Sequence, residues 1–187
     1  FVFFGGSGGN CINHKWITSM AATAGYRSIC LSYLNDPSAN EYCLDSILAD
    51  PNSTCGNDFR RENIYGEDHM PGLSIGPHNA IVGRLRALLT HLSETEPELG
   101  FSNYLANDKM QWNKVVIAGF SQGGGNAGIL SQDHEMARAL FFSKGIGSTF
   151  FPIGDSCESL SDCPSDAEAC QGGSCFKIEP SGYYTEA

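Results

Sequence analysis

The stretch VVIAGFSQGGGNAG, residues 115–128, constrains the fold of this 187-residue chain more than any other. An apolar, β-branched run enters a turn in which Gly119, Gly123, Gly124 and Gly125 surround one hydroxyl, that of Ser121. A strand-to-helix connection needs one or two glycines, so this density implies that something approaches the backbone closely there. A helix follows from Gly123 to about His134. Apolar strands that turn straight into helices indicate a parallel sheet with helices packed on its faces.

The rest of the body keeps the same alternation. FVFF is a short strand, a helix runs from about Asn13 to Ala24 and is closed by Gly25, and SICLSY is the next strand. In PHNAIVGRLRALLTHL the apolar residues Ile81, Val82, Leu85, Leu88, Leu89 and Leu92 fall at helical period, with Pro77 suited to the first turn. KVVIAG and RALFFS are the third and fourth strands. Between Asn35 and about Gly72 the chain is rich in Asp, Asn, Ser and Pro and reads as a loop, too long to lack function or bracing. The expected fold class is α/β, a mostly parallel sheet with helices on both faces over residues 1–150. A small disulfide-rich module over residues 151–187 follows it.

A hydrophobic content of 41% with 17% charged residues is that of a packed core. The net charge of −10 is uneven, for from Asp155 onward there are seven acidic residues and one basic, Lys177. No Lys/Arg cluster offers a nucleic-acid footprint, and no apolar run approaches the ~18 residues of a membrane span. The chain opens at FVFFGGSGGN without an initiator Met, a charged leader or a signal-like apolar stretch, which reads as a processed or trimmed product.

Eight cysteines point to an oxidising compartment, extracellular or periplasmic. Cys43 and Cys55 enclose eleven residues and read as a disulfide, whereas Cys30, in mid-strand, reads as a buried free thiol. Cys157, Cys163, Cys170 and Cys175 are separated by five, six and four residues, with neither C-x-x-C pairs nor interleaved His. That spacing favours disulfides over a metal, and several pairings remain open. No stretch calls for a metal or another cofactor.

GFSQG matches G-x-S-x-G with a strand before it and a helix after it, the context in which the motif carries a nucleophile on a strained turn. The alternatives are a plain tight turn or a phosphate cradle, though a cradle would follow the first strand and precede an acidic residue. FFGGSGGN leaves the first strand at the carboxyl edge where the turn also emerges, and such loops supply backbone N–H groups.

With SGGN, WITSMAATAGYRSICLSY and WNKVVIAGFSQGGG, the chain resembles the α/β-hydrolase superfamily of serine esterases, lipases and peptidases, in particular a secreted bacterial branch. The resemblance covers residues 1 to about 145. It implies that Ser121 is the nucleophile, and that the N–H of Gln122 with one from Gly6 or Ser7 forms the oxyanion hole. It also implies hydrolysis of a small-molecule or lipid-like carboxylic ester through an acyl-Ser121 intermediate. Where a histidine often opens the oxyanion loop of such enzymes, this chain has Phe4 and Gly5. CESLSDCPSDAEACQGGSC resembles small disulfide repeats at the ends of secreted bacterial proteins.

The chain departs from the superfamily where the acid and base should follow the serine. Only His134 comes after Ser121, thirteen residues on and near the far end of the same helix. His91 and His134 read as surface positions. His14, just past the glycine loop, and His69, beside Asp68 in EDHMPG, are the possible bases, each set against a plain solvated position. Two readings follow. Either the acid and base lie beyond Gly145 in a longer form, or the scaffold lacks them and serves as a non-catalytic secreted binding or surface protein. GIGSTFFPIGD marks the junction between body and tail.

Overall fold

The computed structural model describes residues 1–50, 52–142, 148–156, 169–171 and 174–180, the last three stretches as backbone. In chain order, β1 (Val2–Phe4) leads through a 3-10 turn (Cys11–His14) into α1 (Lys15–Thr23), then β2 (Ile29–Leu31). Next come α2 (Ala39–Ala49), α3 (Cys55–Tyr65) and α4 (Ile81–Thr95). A hairpin of β3 (Leu105–Ala106) and β4 (Lys109–Met110) precedes β5 (Val116–Phe120), α5 (Gln122–Asp133) and β6 (Arg138–Phe142). The order β2-β1-β5-β6 is parallel throughout, so the described body is α/β. Beyond it, β7 (Ser148–Ser156), β8 (Ala169–Gln171) and β9 (Ser174–Pro180) pair antiparallel in the order β7-β9-β8.

Alternation along β1 divides the core. Val2 and Phe4 face the side covered by α3, α4 and α5, where they pack with Leu85, Leu89, Ile117 and Leu130. Phe3 faces the other side, against Ile17 of α1 and Ala118. Successive strand residues point to opposite faces, so three residues of one short strand reach both halves of the core. The stripe read on α4 is the one buried, through Ile81, Leu85 and Leu89. Burying each such side chain contributes about 1.5–3 kcal/mol.

Three expectations need correction. The stretch from Asn35 to Gly72 is not a long loop, since it holds α2 and α3. Ser38 accepts the Glu41 N–H at 3.1 Å while the Glu41 carboxylate accepts the Ser38 N–H at 2.7 Å. That reciprocal box satisfies two otherwise orphaned donors and starts α2 within polar sequence. The segment has a small core of its own around Cys43, Phe59, Met70, Leu73 and Ile75. Glu62, buried beneath it, accepts backbone N–H groups from His69, Met70 and Ile75.

Cys30 is not a free thiol, because it is bonded to Cys11. Phe3 and Cys30 are register partners, which aims Cys30 at the α1 face and the 3-10 turn carrying Cys11. Cys43 and Cys55 are also bonded, tying the body of α2 to the start of α3. Two disulfides are compatible with an extracellular or periplasmic protein. The sulfurs of Cys157, Cys163, Cys170 and Cys175 lie outside the described side chains, although β8 and β9 set Cys170 opposite Cys175 in register. Among the described residues no helix is long and apolar enough to cross a membrane.

His134 is the third correction, for it is half-buried rather than a surface residue. Its ring stacks on Trp112 at 5.0 Å and meets the Tyr65 hydroxyl at 3.3 Å. His91 is exposed as expected.

Candidate active site at the strand-helix junction

Ser121 stands between β5 and α5 with φ 51° and ψ −118°. This backbone conformation is costly for a residue with a Cβ and persists only where the surroundings impose it. The surroundings are visible in the neighbouring glycines. A Cβ on Gly119 would sit 2.1 Å from the Gly123 carbonyl oxygen, and one on Gly123 would sit 2.3 Å from that of Phe4. Strand β5, the first turn of α5 and the end of β1 thus touch through backbone alone. That contact accounts for Gly119 and Gly123, while Gly125 leaves room for the Arg60 side chain.

The glycine loop after β1 abuts the same serine, since a Cβ on Gly6 would lie 3.1 Å from Ser121 Cβ. Residues after β2 hold the carbonyls of that loop. The Tyr33 hydroxyl donates to Gly5 O at 2.6 Å, and Asn35 Nδ2 donates to the carbonyls of Gly6 and Gly9, each at 2.7 Å. In a trans peptide the N–H points away from its carbonyl. The N–H groups of Gly6 and Ser7 therefore face away from Tyr33 and Asn35, and neither donates to a described backbone acceptor. Gln122 is the first residue of α5, so its N–H lacks an intrahelical partner. Its side chain joins the parts together: Oε1 accepts from Ser7 Oγ and from the Ala39 N–H, both at 3.0 Å.

The two candidate bases fare differently. His14 is half-buried, its ring 5.1 Å from that of Phe3 and 6.0 Å from that of Phe120. It packs under the glycine loop, where a Cβ on Gly9 would come 3.2 Å from its Nε2. It lines a cavity of about 400 Å³ with Phe3, Trp16, Ile17, Phe120 and Phe142. His69 is exposed and its Nε2 meets Glu67 at 2.9 Å, so its carboxylate neighbour is Glu67 rather than Asp68. Among the described residues no hydrogen bond joins either histidine to Ser121.

Three residues at the site had no distinguishing signal in the sequence: Tyr33, Asn35 and Arg60. Tyr33 and Asn35 lie just past β2, in positions that read as strand end and loop. Arg60 lies within α3 in a stretch that reads as loop, yet it borders a small cavity with Ser121. No protein-family model, curated protein or solved structure matches this chain.

Proposed function

We propose that this chain is a serine hydrolase of the α/β-hydrolase type, acting on carboxylic esters outside the cytoplasm. The observation that carries the reading is the strained backbone of Ser121 at the strand-helix junction. A plain connection has no reason to keep a non-glycine residue at φ 51° among so many glycines. In the proposed reaction Ser121 Oγ attacks the ester carbonyl as its proton passes to a general base. The tetrahedral oxyanion is met by the N–H of Gln122 and those of Gly6 or Ser7. The intermediate collapses to an acyl-serine, the alcohol leaves with the proton, and water completes hydrolysis by the reverse sequence. The outward-facing loop amides and the Ser7–Gln122 hydrogen bond support this assignment. The two disulfides support the location.

None of the described histidines bonds Ser121, and His14 is the one whose ring touches that of its neighbour Phe120. Without a base the serine stays protonated, and an oxyanion hole with substrate binding retains only about 10³–10⁴-fold acceleration over water. Labelling with a fluorophosphonate, followed by peptide mapping, tests the reading. Stoichiometric modification of Ser121 is expected, at a rate reduced in His14→Ala if His14 takes the proton. Failure to label in both this chain and any longer form would leave the binding-protein reading.

A further inference from the structure

The side chain of Arg60 crosses the first turn of α5, where a Cβ on Gly125 would come 2.6 Å from its Nε. Among the described residues its guanidinium makes one hydrogen bond, from Nη1 to the Gly56 carbonyl at 2.7 Å. No described carboxylate stands within ion-pair distance of it. Nε is buried without an acceptor, and so is Nε2 of Gln122. The orientation of that amide is decided by Ala39, whose N–H can only donate and is taken by Oε1. Two unmatched donors therefore belong to residues that border one cavity of about 50 Å³, walled also by Ser7, Ser38, Asn40 and Ser121.

Charge points the same way as hydrogen bonding. The N-terminus of α5 carries the positive end of the helix dipole, and the guanidinium brings a second positive charge beside it. Tyr33 interacts with Arg60 but does not balance it, because burial holds its phenol well above the ordinary range and keeps it neutral. A partly buried cation without a counter-charge is costly, and an anion in the cavity that Arg60 borders would offset that charge. The space suits a carboxylate, whose two oxygens match a guanidinium edge.

We propose that Arg60 binds a carboxylate of the substrate, so that the ester presented to Ser121 carries a free acid group, as in a monoester of a dicarboxylic acid. The inference rests on the reading of Ser121 as a nucleophile, and the test separates the two. Glutarate and neutral glutaramide are titrated into the wild-type protein at constant ionic strength, by calorimetry and by thermal unfolding. The fluorophosphonate labelling rate of Ser121 is then measured with each present.

Glutarate is expected to bind saturably and to slow labelling, with glutaramide about tenfold weaker or worse. Arg60→Gln should lose about tenfold or more in glutarate affinity, and Arg60→Lys should fall between, having the charge without the planar fork. The wild-type comparison of acid and amide decides the matter even if a variant does not fold. Equal binding of both, or no binding by glutarate while Ser121 still labels, overturns the carboxylate site and leaves the hydrolase reading standing. Arg60-dependent glutarate binding without any labelling keeps the anion site and removes the hydrolase reading.

Discussion

The hydroxyl of Ser7 donates to Oε1 of Gln122 at 3.0 Å, and the same oxygen accepts the Ala39 N–H at 3.0 Å. One buried amide thereby joins the glycine loop, the strand-helix junction and the start of α2, three segments far apart in sequence. Replacing it with Leu leaves the Ala39 N–H without its acceptor. Gln122→Leu is expected to cost about 1–3 kcal/mol in urea unfolding. Because substitution keeps the Gln122 backbone N–H, labelling of Ser121 should slow rather than vanish.

Strain at Ser121 makes the opposite prediction for stability. Glycine adopts φ 51° freely, so Ser121→Gly should stabilise the fold by roughly 0.5–2 kcal/mol, whereas Ser121→Ala, which keeps a Cβ, should not. Both variants lose labelling. Equal urea midpoints for the two would mean that the junction is not held against a backbone preference.

Asp133 gives the fold a pH dependence. Burial opposes its ionisation, but hydrogen bonds from the Tyr65 hydroxyl at 2.7 Å and from Arg61 at 3.2 Å prevail and hold the carboxyl below its ordinary range. A lowered folded-state pKa means that the stabilisation is complete above the unfolded value, near 4, and is lost as the pH falls through the folded one. Asp133→Asn should therefore be less stable than the parent at neutral pH, with the gap closing on acidification below about pH 4. His134, lowered by burial, acts in the same direction at higher pH: stability declines as the pH drops below about 6.5. Urea midpoints across roughly pH 2–8 for parent and variant check the sign.

The bond between Cys11 and Cys30 closes a separation of 19 residues. Restricting the unfolded chain over such a loop contributes about 3 kcal/mol, and paired Cys11→Ser and Cys30→Ser substitution should cost roughly that much. Non-reducing peptide mapping should recover Cys11 and Cys30 in one linked species. Alkylation of Cys30 without prior reduction would contradict the pairing.

Periodicity and turn chemistry were legible wherever local physics decides the outcome. Val116–Phe120 followed by a glycine-dense turn, the stripe Ile81, Leu85 and Leu89, and the short run at Val2–Phe4 each read correctly as element and type. The helices α2 and α3 were less legible. Their polar surfaces and the Pro37 before them resemble loop composition, although the S-x-x-E spacing of Ser38 and Glu41 was present to be read. The hairpin at Asn107 and Asp108, both at positive φ, belongs to the same class of short-range signal.

By itself the sequence determined the parallel α/β alternation and the glycine-dense turn around Ser121, because each depends on neighbours along the chain. Only the tertiary structure decided that Cys30 meets Cys11, that Tyr33 and Asn35 turn the glycine-loop amides outward, and that Arg60 reaches the turn beneath Ser121. Those relationships join residues brought together by strand register and helix packing. A mid-helix arginine or a cysteine in a strand has no local feature that says what will lie opposite it once the sheet has formed.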